Sequence, residues 1–150
     1  MIASNSVLNK VIYMRGIPVP LVRANQIFLV VGLVLAVVLR QPLLVALELV
    51  VGAVALWGGP RLHPVFAVAR PLFGSRLQLA DREDARMQRF NQALAVAMLV
   101  LCSVAFLAGL HTVGYILAAV LAAVALAGAV GFCIGCRLYR FIGPWMRTQA

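Results

Sequence analysis

A chain of 150 residues that is 64% apolar and only 11% charged does not read as a soluble domain, where about 45–50% is apolar and about 25% charged. Its composition is that of a membrane protein. The net charge of +9 is no argument for nucleic acid, because the basic residues flank long apolar runs, as expected beside an anionic leaflet.

Near the start, Val7, Leu8, Val11, Ile12 and Met14 recur at helical spacing, with Asn9, Lys10 and Arg15 between them. This predicts a short helix lying in the membrane interface. Pro18 and Pro20 are expected to end it, so residues 1–23 form an interfacial segment. Residues 24–142 form a single transmembrane domain, and 143–150 a C-terminal tail.

Four apolar stretches follow, at about 24–39, 43–57, 93–110 and 113–132. A spanning helix needs roughly 17–25 residues. The last two stretches satisfy that, while the first two are short and need snorkelling at Arg40 and Gln41 or local thinning. A re-entrant first hairpin is the alternative. Of the 13 basic residues, all but Arg40 fall before the first stretch, between the second and third, or after the fourth. The positive-inside rule then puts both termini and the loop 58–92 in the cytoplasm.

The two hairpins resemble each other. Arg23-Ala24-Asn25-Gln26 opens the first and Arg89-Phe90-Asn91-Gln92 the second, and each closes on a glycine and a basic stretch. A duplicated two-helix unit is the reading taken, its copies entering the membrane in the same sense; the alternative is chance similarity between Arg-flanked helix starts. The loop 58–92 holds His63-Pro64, Arg70-Pro71 and Gly74-Ser75, breakers that argue for a chain along the membrane surface without a core of its own. Asp81, Glu83 and Asp84 alternate with Arg82 and Arg86, a pattern of local ion pairs.

In the fourth stretch Ala119, Ala123, Ala127, Gly131 and Gly135 recur every four residues. Such a row lets helix backbones approach closely in lipid, whether the neighbour is another span or another copy of the chain. The row runs into Gly131-Phe132-Cys133-Ile134-Gly135-Cys136-Arg137. Two cysteines at this spacing match a dithiol redox motif or half of a zinc site. Zinc requires further ligands, for which His63 is the one obvious candidate, and no metal is assigned. The third reading is that both thiols simply pack. A thiolate at Cys133 is disfavoured if it sits in the last turn of the fourth helix and helped if Gly135 breaks that helix; Arg137 and Arg140 attract it in either case.

Glu48 is the only acidic residue in a span, hence a candidate site by default. Its proposed partners are Arg40 or His111, and it acts as a proton carrier or sits neutral and hydrogen-bonded. Cys102, deep in the third span, reads as packing, and His111 as a solvated turn residue. No phosphate loop, Ser/His/Asp set or metalloprotease motif occurs, so nothing argues for hydrolysis or phosphoryl transfer.

The Arg89-Phe90-Asn91-Gln92 and Gly131-Phe132-Cys133-Ile134-Gly135-Cys136 motifs make the chain similar to a family of small bacterial integral membrane proteins, catalogued as domain of unknown function 4395. The resemblance covers about residues 20–142. It implies thiol or sulfur chemistry only by association with thioredoxin-like and sulfurtransferase proteins.

The sequence therefore predicts an all-α, polytopic protein of the bacterial cytoplasmic (inner) membrane, with four transmembrane helices in two similar hairpins. Cys133 and Cys136 are expected to form a cytoplasmic-facing dithiol for redox or sulfur relay with a soluble thiol partner. Cys136 serves as nucleophile and Cys133 as resolving thiol, supported by Arg137, Arg140 and His63. If the chain is an enzyme, its chemistry is thiol–disulfide exchange or sulfur transfer. The alternative is a small non-enzymatic transport or accessory subunit, with Glu48 as its polar site.

Overall fold

The computed structural model describes residues 16–132, 137–138, 140–142 and 144. Four helices dominate: α1 (Val19–Val38), α2 (Pro42–Leu62), α5 (Ala85–Leu107) and α6 (His111–Val130). Between the hairpins come α3 (Pro64–Phe73), α4 (Arg76–Leu79) and a two-residue strand β2 (Arg82–Glu83), which pairs antiparallel with β1 (Ile17–Pro18). Ile17 faces Glu83 and Pro18 faces Arg82. Among the described residues the fold is all-α apart from this pair.

Each long helix is long and apolar enough to cross a membrane: Val19–Val38, Pro42–Gly59, Ala85–Leu107 and His111–Val130. Their outward faces carry Val38, Leu43, Leu47, Val50, Leu107, Ile116 and Val130 in exposed positions, a surface that suits hydrocarbon and makes this a multi-pass membrane protein. The predicted boundaries shift, however. The first span begins at Val19 because Pro18 is its N-cap and Pro20 lies in its first turn, where a missing N–H costs nothing. The 20 residues of α1 then reach about 30 Å at 1.5 Å each, so the first hairpin is not short. The third span starts eight residues earlier than its apolar run, since Asp84 caps α5 by accepting from the Arg86 N–H at 2.9 Å.

The turns are tight. Arg40 takes φ 52° between α1 and α2, and Gly109 takes φ 79° between α5 and α6. α2 kinks at Gly59 (φ 65°, ψ −167°). α6 ends in a Schellman arrangement: Gly131 has φ 111°, its N–H donates to Gly128 O at 3.2 Å, and the Phe132 N–H donates to Ala127 O at 2.8 Å. These bonds satisfy carbonyls that a helix end leaves free. The fourth helix thus closes at Val130, two residues short of the expected end at Phe132.

Across the bundle, α1 packs most extensively on α6 and α2 on α5, so each hairpin leans on the other. Leu33, Ala36, Val45, Leu99, Cys102, Ala118 and Leu121 form the transmembrane core. A second cluster joins Ile17, Leu21 and Val22 to Phe66 and Ala69. The central segment therefore does bury a small core, but borrows half of it from β1 and the first turn of α1.

The small-residue row divides. α6 buries Gly114, Ala118, Ala122 and Ala125, whereas Ala119, Ala123 and Gly131 are exposed and Ala127 half-buried. Ala119 and Ala123 of the predicted row still border α1, lining a groove with Val34 and Val38, while the buried positions follow the 3.6-residue turn of the helix. Gly135 lies outside the described residues.

Candidate functional site

Polar side chains gather at one end of the bundle. Asn25 Nδ2 donates to Gln92 Oε1 at 3.1 Å, and Gln92 Nε2 donates to Gly52 O at 3.4 Å. On the other side, the Gln26 amide lies against Gly128, where a Cβ would press on Nε2. Gln26 and Gln92 are each the eighth residue of their helix. Each therefore rests on a glycine of the facing hairpin, and at Gly128 the missing Cβ is what lets the amide come so close.

Beyond this layer opens a cavity of about 630 Å³, within the usual range for small-ligand sites. Its walls combine Ile17, Leu56 and Phe66 with His63, Gln88 and the Arg82, Arg86 and Arg89 guanidinium side chains. Gly59, at the kink of α2, lines it too. The kink frees the chain to place His63, whose extended backbone (φ −67°, ψ 110°) is the conformation that a following proline favours.

His63 is only 4% exposed. Its ring stacks on Phe66, with centroids 3.8 Å apart and planes 8° apart. Among the described residues, neither Nδ1 nor Nε2 has a hydrogen-bond partner. Burial, aided by the Arg70 charge, pushes its pKa down to about 4. The ring is neutral at pH 7, with one donor and one acceptor nitrogen. Gln88, 6% exposed, likewise has an unpartnered Oε1. Burial raises the Glu83 carboxyl above its ordinary range, opposed by the Arg23 charge. The Asp84 carboxylate is engaged in its cap, and Arg82 Nη1 donates to Gly16 O at 3.3 Å. The acidic–basic alternation predicted as ion pairs serves here as a helix cap and a strand tie.

Of the predicted site residues, His63 is in this cavity, and Arg137 and Arg140 are helical and exposed. Cys133 and Cys136 lie outside the described residues. Among the described residues no group of three His, Cys, Asp or Glu side chains could hold a metal. Glu48 sits elsewhere, mid-bundle and 5% exposed, against Gly32, where any Cβ would collide with its carboxyl. Its neighbour is thus a backbone on α1. The partners expected for it, Arg40 and His111, instead line a shallow depression at the opposite end with Val37, Thr112 and Tyr115. Cys102 is fully buried in the core.

Sequence reasoning took Asn25, Gln26, Asn91 and Gln92 as repeat markers and overlooked them as an inward polar layer. It passed over Gln88 entirely. The signal was present: Gln88, Gln92, Val96 and Leu99 fall at spacings of three and four, on one face of a helix that is otherwise buried.

No curated protein and no solved structure matches the chain. A family model described as "Domain of unknown function (DUF4395)" matches residues 17–143, which takes in both hairpins, the polar layer and the cysteine motif. The chain belongs to that family.

Proposed function

We propose that this is a protein of the bacterial cytoplasmic membrane, with both termini and the segment 58–92 inside. In this reading its Cys133/Cys136 pair exchanges electrons or sulfur with a soluble thioredoxin-like or sulfurtransferase partner. The observation that carries it is the closed end of α6. The Gly131 cap finishes the helix two residues before Cys133, at the end of the bundle that also holds Gln26 and Gln92. Cys136 immediately precedes the exposed Arg137, and the reading puts the pair at that end. Every basic side chain of the central segment belongs to the same end, and Arg40 marks the other.

For exchange with a partner disulfide, the Cys136 thiolate attacks one partner sulfur and the other leaves as thiolate. Cys133 then attacks Cys136 Sγ, and the partner departs as a dithiol while the pair is oxidised to a disulfide. Arg137 and Arg140 favour the attacking thiolate by direct attraction. Thiol trapping in native membranes tests this. Cys133→Ser is expected to hold a partner as an unresolved mixed disulfide at Cys136, and Cys136→Ser to hold none. Two thiols that stay unreactive in both oxidised and reduced membranes would overturn the proposal, and stoichiometric zinc on the purified protein would replace it with a metal site. A membrane-impermeant thiol reagent that labels the pair from outside the cell would reverse the orientation.

A second reading is favoured by Glu48, a carboxyl held inside the bundle against a bare backbone. Intramembrane acids mark proton and solute paths, which suits a small transport or accessory subunit. If a deletion strain is restored by the double Cys→Ser variant but not by Glu48→Gln, this second reading prevails.

A further inference from the structure

The cavity beside the polar layer is unexplained by thiol exchange. Its floor carries two side chains more than nine-tenths buried, His63 and Gln88, whose nitrogens and Oε1 find no partner among the described residues. Buried polar groups in native proteins are nearly always hydrogen-bonded, and two such orphans on residues that line one cavity point to an occupant that a small turn of either side chain would meet. A neutral imidazole offers one donor and one acceptor, and Gln88 Oε1 only accepts. The group that answers both is a hydroxyl, which gives and takes a hydrogen bond at once; a bare carboxylate cannot donate to Gln88.

The rim adds a different requirement. Arg82, Arg86 and Arg89 converge on the cavity, with Arg86 and Arg89 three residues apart on one face of α5. Guanidinium groups match phosphate oxygens in pairs. Two carboxyl groups, Glu83 and Asp84, also line the rim, but Asp84 is engaged by the α5 backbone, and the three guanidinium charges outnumber both. Leu56 and Phe66 leave an apolar wall for a short carbon skeleton. The cavity also reaches Gly59, the last residue of the second apolar span, which is the depth at which lipid headgroups meet water.

We propose that this cavity binds a hydroxyl-bearing phosphate ester, with the phosphate at Arg86 and Arg89 and the hydroxyls against His63 and Gln88. Two sources share that chemistry: the headgroup of phosphatidylglycerol, entering from the bilayer, and a soluble polyol phosphate such as glycerol 3-phosphate. The inference is independent of the cysteine pair, so the failure of either leaves the other standing.

The test uses the full-length purified protein. Native mass spectrometry measures retention of phosphatidylglycerol against phosphatidylcholine, and calorimetry measures binding of glycerol 3-phosphate. Phosphatidylglycerol retention without glycerol 3-phosphate binding assigns the headgroup; glycerol 3-phosphate binding that displaces the lipid assigns the soluble ester. In either case the paired substitution Arg86→Gln and Arg89→Gln is expected to weaken binding at least tenfold. Gln88→Met, similar in volume, is expected to do the same, and Arg76→Gln, outside the cavity, to leave it unchanged. Should Gln88→Met fail to fold, the exposed arginine pair still decides. The proposal is overturned if neither probe binds, if phosphatidylcholine is held as firmly as phosphatidylglycerol, or if Arg76→Gln weakens binding as much as the cavity variants.

Discussion

Asn25 Nδ2 donates to Gln92 Oε1 at 3.1 Å, joining the first and third spans near one end of the bundle. Both residues come from the repeated Arg-x-Asn-Gln stretches, so the feature that makes the hairpins look alike is also what joins them.

Replacing Asn25 by Leu leaves the half-buried Gln92 amide short of a partner. An orphaned buried polar group costs about 1–3 kcal/mol, although hydrogen bonds between spans average only about 0.6 kcal/mol. A loss of about 1 kcal/mol is expected in reversible unfolding from mixed micelles. Combining Asn25→Leu with Gln92→Leu is expected to cost less than the sum of the single changes. Strict additivity would show that the two amides do not interact.

Gly32→Ala sets a methyl group where the Glu48 carboxyl already lies. Overpacking of this kind costs about 1–3 kcal/mol. Glu48→Ala in the same chain is expected to restore most of it by clearing the space, which equilibrium unfolding would show directly. Gly128→Ala meets only the flexible Gln26 amide and is expected to cost less than Gly32→Ala.

His63 titrates near 4 when folded against 6.5 as the ordinary value. Between those pH values the unfolded chain binds the proton and the folded chain does not, so stability is present above about pH 6.5 and is lost as pH falls toward 4. At 1.36 kcal/mol per unit the loss is on the order of 3 kcal/mol. Glu83, held above its ordinary value, acts in the opposite sense: its contribution is present at low pH and lost as pH rises. The measurement is therefore the difference between the wild type and His63→Phe in melting temperature from pH 4 to 7. A difference that does not vary with pH would sink the assignment.

Gly131 takes a φ of 111° that a side chain tolerates poorly. Gly131→Ala is expected to lower stability by about 1–2 kcal/mol, and Gly131→Asn by less, since Asn tolerates left-handed backbone best among the others. Thermal melting of the two variants in one detergent checks the order.

The four spans were legible because apolar runs of this length have one common explanation. Their ends were not, since Pro18 and Asp84 begin helices inside stretches that look polar or broken. Glu48 stood out by charge, yet its neighbour could not be read. Gly32 has no side chain to announce a partner, and the polar candidates, Arg40 and His111, lie together at the far end of the bundle. His63 was singled out as a ligand to the cysteines; its burial against Phe66 depends on the kink at Gly59, which composition does not reveal. Gln88 was hidden within a charged run, where its helical stripe with Gln92, Val96 and Leu99 crosses from a surface segment into the bundle.

The pairing of α1 with α6 and of α2 with α5 has a consequence for how such a chain could arise. A lone hairpin of this design would leave its broadest contact face bare, and its natural companion would be a second copy of itself. Fusion of the two genes would turn that obligatory dimer into one polypeptide and free each half to diverge, one keeping the scaffold and the other acquiring the sulfurs.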